Sequence, residues 1–430
     1  MSATKFNISR RAFIGGFGTA ASLSLLALAG CGSSDSSASG SIAASDGGSQ
    51  LDSITLGSSS AISTLSVNQE AGSANYQIAA LFQEGLTGLD ADGNTVAALA
   101  TDWHTDDNLT WVFTLRENVK LHNGDTLTAD DIVFSINTAR DATLSPGLST
   151  YWPDYVESVE KTGDNEITIT LSSENADFDA QLSNASGLFI TSEAFWNESG
   201  SDYGSSKSLI VGTGPYQVTE FDSSSHVTLE RFADWWGKTD GPQTVRIDFI
   251  PEDSTRLLAF QDGSIDASLS VPVANVDEWN QDGATISTYS DRSYYGLTFD
   301  SNVAPFDDVH VRRAVAYALD RESIVSGILK GYATVATGID APEQLAGWAG
   351  SVKKAKKLVS DLGALDFSIK KAKAELRQSS QPDGFTATLT YPTGYAAVGQ
   401  ASLALADSLK KLGITLDVNE ITLEIGRAHV

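Results

Sequence analysis

The sequence predicts a mixed α/β protein, and three regions carry that prediction. "VRIDFIPEDSTRLLAFQDGSIDASLS" reads as a strand, a helix, a glycine turn and a short strand. "FTATLTYPTG", "GQASLALADSLKKLG" and "ITLDVNEITL" repeat the order strand, helix, strand near the end of the chain. "LTWVFTLRENVKLHNGDTLTADDIVFSINTARD" sets an alternating strand, a turn and a capped helix in series. Helices interleaved with strands in this way indicate α/β units.

A chain of 430 residues is long enough for two or three domains with sizeable cores. Beyond the first thirty residues no apolar run approaches the ~20 residues that span a bilayer. The net charge is -27, from 28 basic and 55 acidic residues. A surface so negative argues against nucleic acid, because nothing on it would displace phosphate counterions. Charge-based solubility outside the cell accounts for it; an acidic cleft for cationic solutes is the sharper alternative.

Residues 1–30 read as an export signal. Arg10 and Arg11 stand directly before Phe13, the apolar segment "AASLSLLALA" follows, and small residues precede the processing point. The arginine pair resembles the twin-arginine type. Cys31 is the only cysteine, so no internal disulfide can form. It closes "LAGC", which matches the bacterial lipoprotein processing box, and its thiol is the expected lipid acceptor. Residues 31–50 then run "CGSSDSSASGSIAASDGGSQ". Such a composition cannot offset chain entropy by burial and is expected to be a flexible tether. The body would hang from the outer face of the cell membrane, held by acyl chains on Cys31.

From Leu51 onward the elements follow in order. "DSITLG" is a short strand. "NYQIAALFQEGL" places Ile78, Leu81, Phe82 and Leu86 at helical spacing. "LDADGN" is a hairpin turn; its Asp90, Asp92 and Asn94 lack the glycine spacing of a calcium loop. Trp111, Phe113 and Leu115 alternate with polar partners as a half-buried strand. "HNGD" turns the chain, and Thr128 with Asp131 forms a capping-box variant before a helix that buries Ile132, Val133 and Ile136. Ile167, Ile169 and Leu171 mark another strand. "GTGPYQVTEFDSSSHVTLERFADWWG" is two strands joined by a serine-rich turn. The next helix presents Leu257, Leu258 and Phe260. "YYGLTFDS" reads as a strand. "FDDVHVRRAVAYALDRESIVSGILKGY" is two helices, the first capped by Asp307 or Asp308, the second by Asp320 and stopped at Gly331.

Enzymatic constellations are missing. His104, His122, His226, His310 and His429 are scattered, with no His-x-His, no H-E-x-x-H and no cysteine partner. G-x-S-x-G does not occur, and "GTGPYQ" lacks the third glycine and following helix of a dinucleotide loop. An enzyme, a metal site and a cofactor are therefore not expected.

"ALATDWHTDDNLTWVFTLRENVKLHNGDTLTADDIVFS", "GTGPYQV", "ERFADWWG", "GSIDA", "APFDDVHVRRAVAYALDRESIV" and "FTATLTYPTG" together resemble, in order and spacing, the family-5 extracytoplasmic solute-binding proteins of peptide and nickel ABC importers. The resemblance covers roughly residues 51–424. It implies a two-lobed, periplasmic-binding-protein-like type II fold, with residues 51–95 plus 211–298 as first lobe, 96–210 as an inserted subdomain of it, and 299–424 as second lobe. It also implies a monomer that captures a peptide or other small solute between the lobes and hands it to permease subunits. Nickel chelates, haem and oligosaccharides are the family's other ligands; a sensor or adhesion lipoprotein is the competing role. Gly214-Pro215 is expected to be a turn, Asp131 a cap, and Trp235 with Trp236 a surface aromatic pair.

Peptide-binding members lay the ligand as an added strand against a main-chain segment, which here corresponds to Ala71, Gly72 and Ser73. An aromatic or apolar contact could come from Leu148, Tyr151 or Trp152, and Thr298 is a further candidate. Tyr294 and Tyr295 are expected in hinge packing. Family chains continue past "ITLDVNEITLE", so the second lobe is expected to be truncated, with "IGRAHV" (425–430) a non-native tail resembling a translated sequencing adapter.

Overall fold

The short strand read at residues 53–58 becomes the second strand of a five-stranded sheet in the computed structural model, which describes residues 51–90, 93–152, 154–281, 284–288, 294–342, 345–363, 365–392 and 395–421. Arg10, Arg11, Cys31, the 31–50 tether and the 425–430 tail lie outside the described residues. The chain divides into two compact units. Described residues up to 271, with those of 278–289, form the first; those of 272–277, with those from 294 on, form the second.

In the first unit Ser53–Ser58 pairs in parallel with Thr244–Phe249 on one side and Ala267–Ser268 on the other. Thr244–Phe249 pairs antiparallel with His226–Arg231, which continues the hairpin to Tyr216–Asp222. Leu56 stands opposite Ile247, and Ile247 opposite Val227, so one face supplies a continuous apolar layer. Ile78 and Phe82 close over that layer. The helix Asp253–Asp262 buries Arg256, Leu257 and Phe260. Leu258, expected among the helix's apolar set, is 62% exposed because it falls outside that stripe.

A second sheet in the same unit is antiparallel throughout, in the order Ala100–His104, Thr110–Leu115, Glu166–Leu171, Val156–Gly163. Its inward set is the period-2 set read from sequence: Trp111, Phe113 and Leu115 with Ile167, Ile169 and Leu171. The helix Ala129–Arg140 adds Ile132 and Ile136 to this core, with Val133 half-buried at its margin. Thr128 and Asp131 form the full capping box. The "LDADGN" turn joins Thr87–Leu89 to Thr95–Ala97 as a hairpin, with Asp90 accepting from the Asn94 backbone N–H.

The helix expected to run to Leu86 ends earlier, spanning Ser73–Ala79. Beyond it the carbonyls of Leu81, Phe82 and Glu84 accept from the N–H groups of Tyr216, Gly214 and Ile190. Long-range partners thus take over the main chain where an isolated helix would have continued. Gly214-Pro215 belongs to this junction. Its glycine serves close approach, since a Cβ there would lie 2.7 Å from the Phe82 carbonyl carbon.

In the second unit Thr386–Pro392 and Thr415–Ile421 pair in parallel, joined by the helix Ala396–Lys410. Leu405, Leu409 and Ile414 pack with Ala314, Val315, Ala318, Ala372 and Leu376. Asp308 caps the helix Val309–Ala318; its two carboxylate oxygens accept from the N–H groups of His310 and Ser380. Asp320 caps Arg321–Ser323, which continues as a π-turn over Ile324–Ile328 and is closed by Gly331 at φ +81°. Residues 294–300, expected as a strand, form none. Leu297 and Phe299 pack on the core while Tyr294 and Tyr295 are exposed, so the alternation is satisfied by side-chain packing without a ladder. No helix among the described residues is long and apolar enough to cross a membrane.

Candidate functional site

The segment ahead of the helix Ser73–Ala79 combines a braced frame with open backbone. Asn68 O accepts from Gly147 N–H at 3.0 Å, and Asn68 Nδ2 donates to Ser145 Oγ. Glu70 accepts from both the N–H and the hydroxyl of Ser63, at 2.8 and 2.6 Å. Gly147 presses so near that a Cβ on it would lie 2.9 Å from Ala71 N. Held on both sides, Ala71 and Gly72 are half-buried and Ser73 is exposed. Gly72 is fully extended, with φ -178° and ψ 167°. The N–H groups of Ala71 and Gly72 donate to no carbonyl among the described residues. Beside them Asn75 is buried, and its Nδ2 has no hydrogen-bond partner. A braced segment with an extended glycine and unused donors is what an incoming strand requires.

The other candidates fall in different surroundings. Leu148 lies close to the segment, next in sequence to Gly147, but is 1% exposed and belongs to the core beneath it. Trp152 is buried in the core of the antiparallel sheet. Tyr151 ends a short 3-10 turn, Ser149–Tyr151. Thr298 is exposed in the second unit. The structure therefore brings Ala71, Gly72, Ser73 and Leu148 together within the first unit and sets Trp152 in a separate core.

Two titratable groups that sequence reading passed over mark the junction between the two sheets. Glu84, in "LFQEGL", is buried and accepts from Trp236 Nε1 at 3.1 Å. Trp235 Nε1 and Thr213 Oγ1 lie within electrostatic reach without closing a hydrogen bond. The Arg116 guanidinium stacks on Trp236 at 3.7 Å. Burial outweighs these favourable contacts and pushes the Glu84 carboxyl up to about 7. His122, read only as part of a turn, donates from Nε2 to Gly214 O at 3.0 Å and accepts at Nδ1 from Gly212 N–H at 3.2 Å. Those two bonds require the neutral ring, and burial pulls its pKa down to about 4. His122 therefore clamps the glycine turn. A surface pocket of about 370 Å³ opens beside it, lined by Asn123, Phe195, Lys207 and Gln217 among others. Among the described residues no group of His, Cys, Asp or Glu could hold a metal ion.

Comparison with known proteins places these observations. The family model described as "Bacterial extracellular solute-binding proteins, family 5 Middle" matches residues 94–427. Heme-binding protein A of Haemophilus influenzae is 29% identical over 312 residues, covering 66% of this chain and 55% of that protein. The oligopeptide-binding protein OppA of Bacillus subtilis is 26% identical over 376 residues, covering 80% of this chain and 67% of that protein. The chain thus spans between about half and two thirds of the length of these relatives. The oligopeptide-binding protein AppA of Bacillus subtilis, solved with a nonapeptide, superposes with a TM-score of 0.70 at 22% identity, covering 88% of this chain and 76% of that one. The fold is accordingly the two-lobed type II arrangement of mixed α/β periplasmic binding proteins.

Proposed function

Because the chain belongs to the family-5 bacterial extracellular solute-binding proteins, we propose that it is a lipid-anchored receptor that captures a peptide-like ligand and delivers it to an ABC importer. The observation that carries the ligand class is the pair of backbone N–H groups at Ala71 and Gly72 that meet no carbonyl among the described residues, with Gly72 fully extended. Backbone hydrogen bonding recognises a peptide without demanding a particular side-chain sequence. The likeness to an oligopeptide-binding relative supports the same reading. Residues 51–95 with 211–298 would form the first lobe, 96–210 its insertion and 299–424 the second lobe. Export through the Arg10-Arg11 leader and acylation of Cys31 would keep a monomeric receptor at the outer face of the cell membrane, beside the permease. In this role the protein binds and releases its ligand unchanged, and Leu148 supports the binding segment from beneath.

Haem is the second ligand class, favoured by the relative named as heme-binding protein A. The test is mass spectrometry of ligand co-purified with the full chain, followed by thermal shift against peptide pools, haem, a nickel chelate and oligosaccharides. Peptides should raise the melting temperature with concentration. Gly72→Val keeps an extended backbone that any residue adopts, but sets a branched side chain beside Asn75, its Cβ 3.3 Å from Asn75 Oδ1, at the edge that the ligand must approach. It should weaken peptide binding tenfold or more, about 1.4 kcal/mol, with the apo melting temperature nearly unchanged. Haem alone shifting the protein would replace the peptide reading. No shift with any of the four would defeat the receptor reading.

A further inference from the structure

The charge of this chain is unevenly placed. Between Ser351 and Lys373 stand seven lysines against two acids, Asp361 and Asp366, a local charge of +5 that leaves -32 for the rest of a chain of net charge -27. All seven lysines are exposed. Four of them lie on the helix Val352–Asp361, whose cap is Ser351, its Oγ accepting from Lys354 N–H. Ala355 and Val359 bury one stripe of that helix in the second unit. Lys353, Lys354, Lys356 and Lys357 occupy the remaining arc.

The lysines do not stand alone. Leu358 and Leu362 flank the buried stripe at 43% and 74% exposure. Trp348, on the short helix just before, is 77% exposed, and Ile339 is 74% exposed. The helix Ile369–Leu376 carries Lys370, Lys371 and Lys373 as well, with Ala372 and Leu376 facing inward and Lys371 over the Tyr317 ring. A nucleic acid or an acidic protein would account for the lysines but not for a tryptophan and leucines left in water among them. A bilayer bearing anionic lipid accounts for both. Lysines meet the headgroups, while tryptophan and leucine enter the boundary where amphipathic side chains are most stable. The acidic remainder of the chain opposes this only within a Debye length, ~8 Å at physiological salt.

We infer that residues 346–362 form a membrane-surface docking face for a bilayer carrying anionic lipid, separate from the ligand-binding segment and from the anchor at Cys31. Such a face would fix the orientation of the second unit at the membrane.

The test uses the full chain carrying Cys31→Ser, so that no acyl chain contributes, with phosphatidylcholine vesicles that contain or lack phosphatidylglycerol. The protein should sediment with the anionic vesicles and be released by salt. Lys353→Gln with Lys354→Gln should lower the partition coefficient by about fivefold for each lysine. Brominated acyl chains should quench tryptophan fluorescence, and Trp348→Phe should remove most of that quenching. Equal binding to both vesicle types, indifference to the lysine substitutions, or quenching that survives Trp348→Phe would each overturn the inference. So would tighter binding to a DNA duplex or to polyglutamate than to anionic vesicles, which would make the partner a soluble polyanion.

Discussion

Replacing Glu84 by Gln should make the protein more stable above neutral pH and change little in acid. Glu84 is buried, and its carboxyl is raised from 4.5 to about 7. Desolvation is the largest cause; the bond from Trp236 and the charge of Arg116 oppose it without prevailing. The fold therefore favours the protonated acid. Below pH 4.5 the group is protonated both folded and unfolded, and its contribution is intact. Between 4.5 and about 7 the unfolded chain gives up the proton while the folded chain keeps it, so stability falls as pH rises. Above 7 the contribution is gone. At about 1.4 kcal/mol for each tenfold in proton affinity, the loss is about 3 kcal/mol. Glutamine accepts the Trp236 N–H with its amide oxygen and carries no charge, so it escapes that loss. Melting curves of both proteins at pH 5 and pH 8 measure the effect. Their difference should grow by about 6–12 °C in favour of Glu84→Gln at the higher pH. An unchanged difference across that range would show that the carboxylate is not desolvated in the folded state.

The neutral ring of His122 gives the opposite slope. Its pKa, lowered by burial from 6.5 to about 4, supplies stability that is present above 6.5 and lost as pH falls toward 4; His122→Gln should flatten that limb of the urea midpoint against pH. Arg256 is 1% exposed and donates to Ser268 Oγ, Ile250 O, Pro251 O, Asp253 Oδ1 and Ser270 O. Arg256→Met strands the half-buried Asp253 carboxylate and several carbonyls, and should cost about 3–5 kcal/mol in urea unfolding; a cost below ~1 kcal/mol would mean that water replaces the guanidinium. Gly212→Ala drives a methyl into the Phe82 carbonyl and should cost about 1–3 kcal/mol, read as a lowered urea midpoint and weaker expression, although its backbone angle is not left-handed.

The elements that sequence alone determined are those whose cause is local. Trp111, Phe113 and Leu115 declare a strand because side chains alternate across any pleat, and they alternate in the structure. Thr128 and Asp131 declare a helix start because both partners of the cap lie within one turn. Asp308 and Asp320 act in the same way. The family could also be recognised, because motifs such as "GTGPYQV" and "FDDVHVRRAVAYALD" keep their order along the chain. The proposed binding segment at Ala71–Ser73 was legible only through that resemblance, since three small residues carry no chemistry of their own.

Tertiary structure decided what depends on a partner distant in sequence. The first helix stops at Ala79 because Gly214 and Tyr216 capture the next carbonyls, and nothing within residues 73–86 encodes that. Residues 294–300 alternate like a strand but form none, because a strand also needs a neighbour to close its hydrogen bonds. Leu148 became core support because of what folds over it. Glu84, His122 and Arg256 acquire their properties from burial, which a linear pattern does not contain: the same carboxyl in water would titrate near 4.5. Local geometry can be read one residue at a time, whereas desolvation and long-range pairing exist only once distant segments have met.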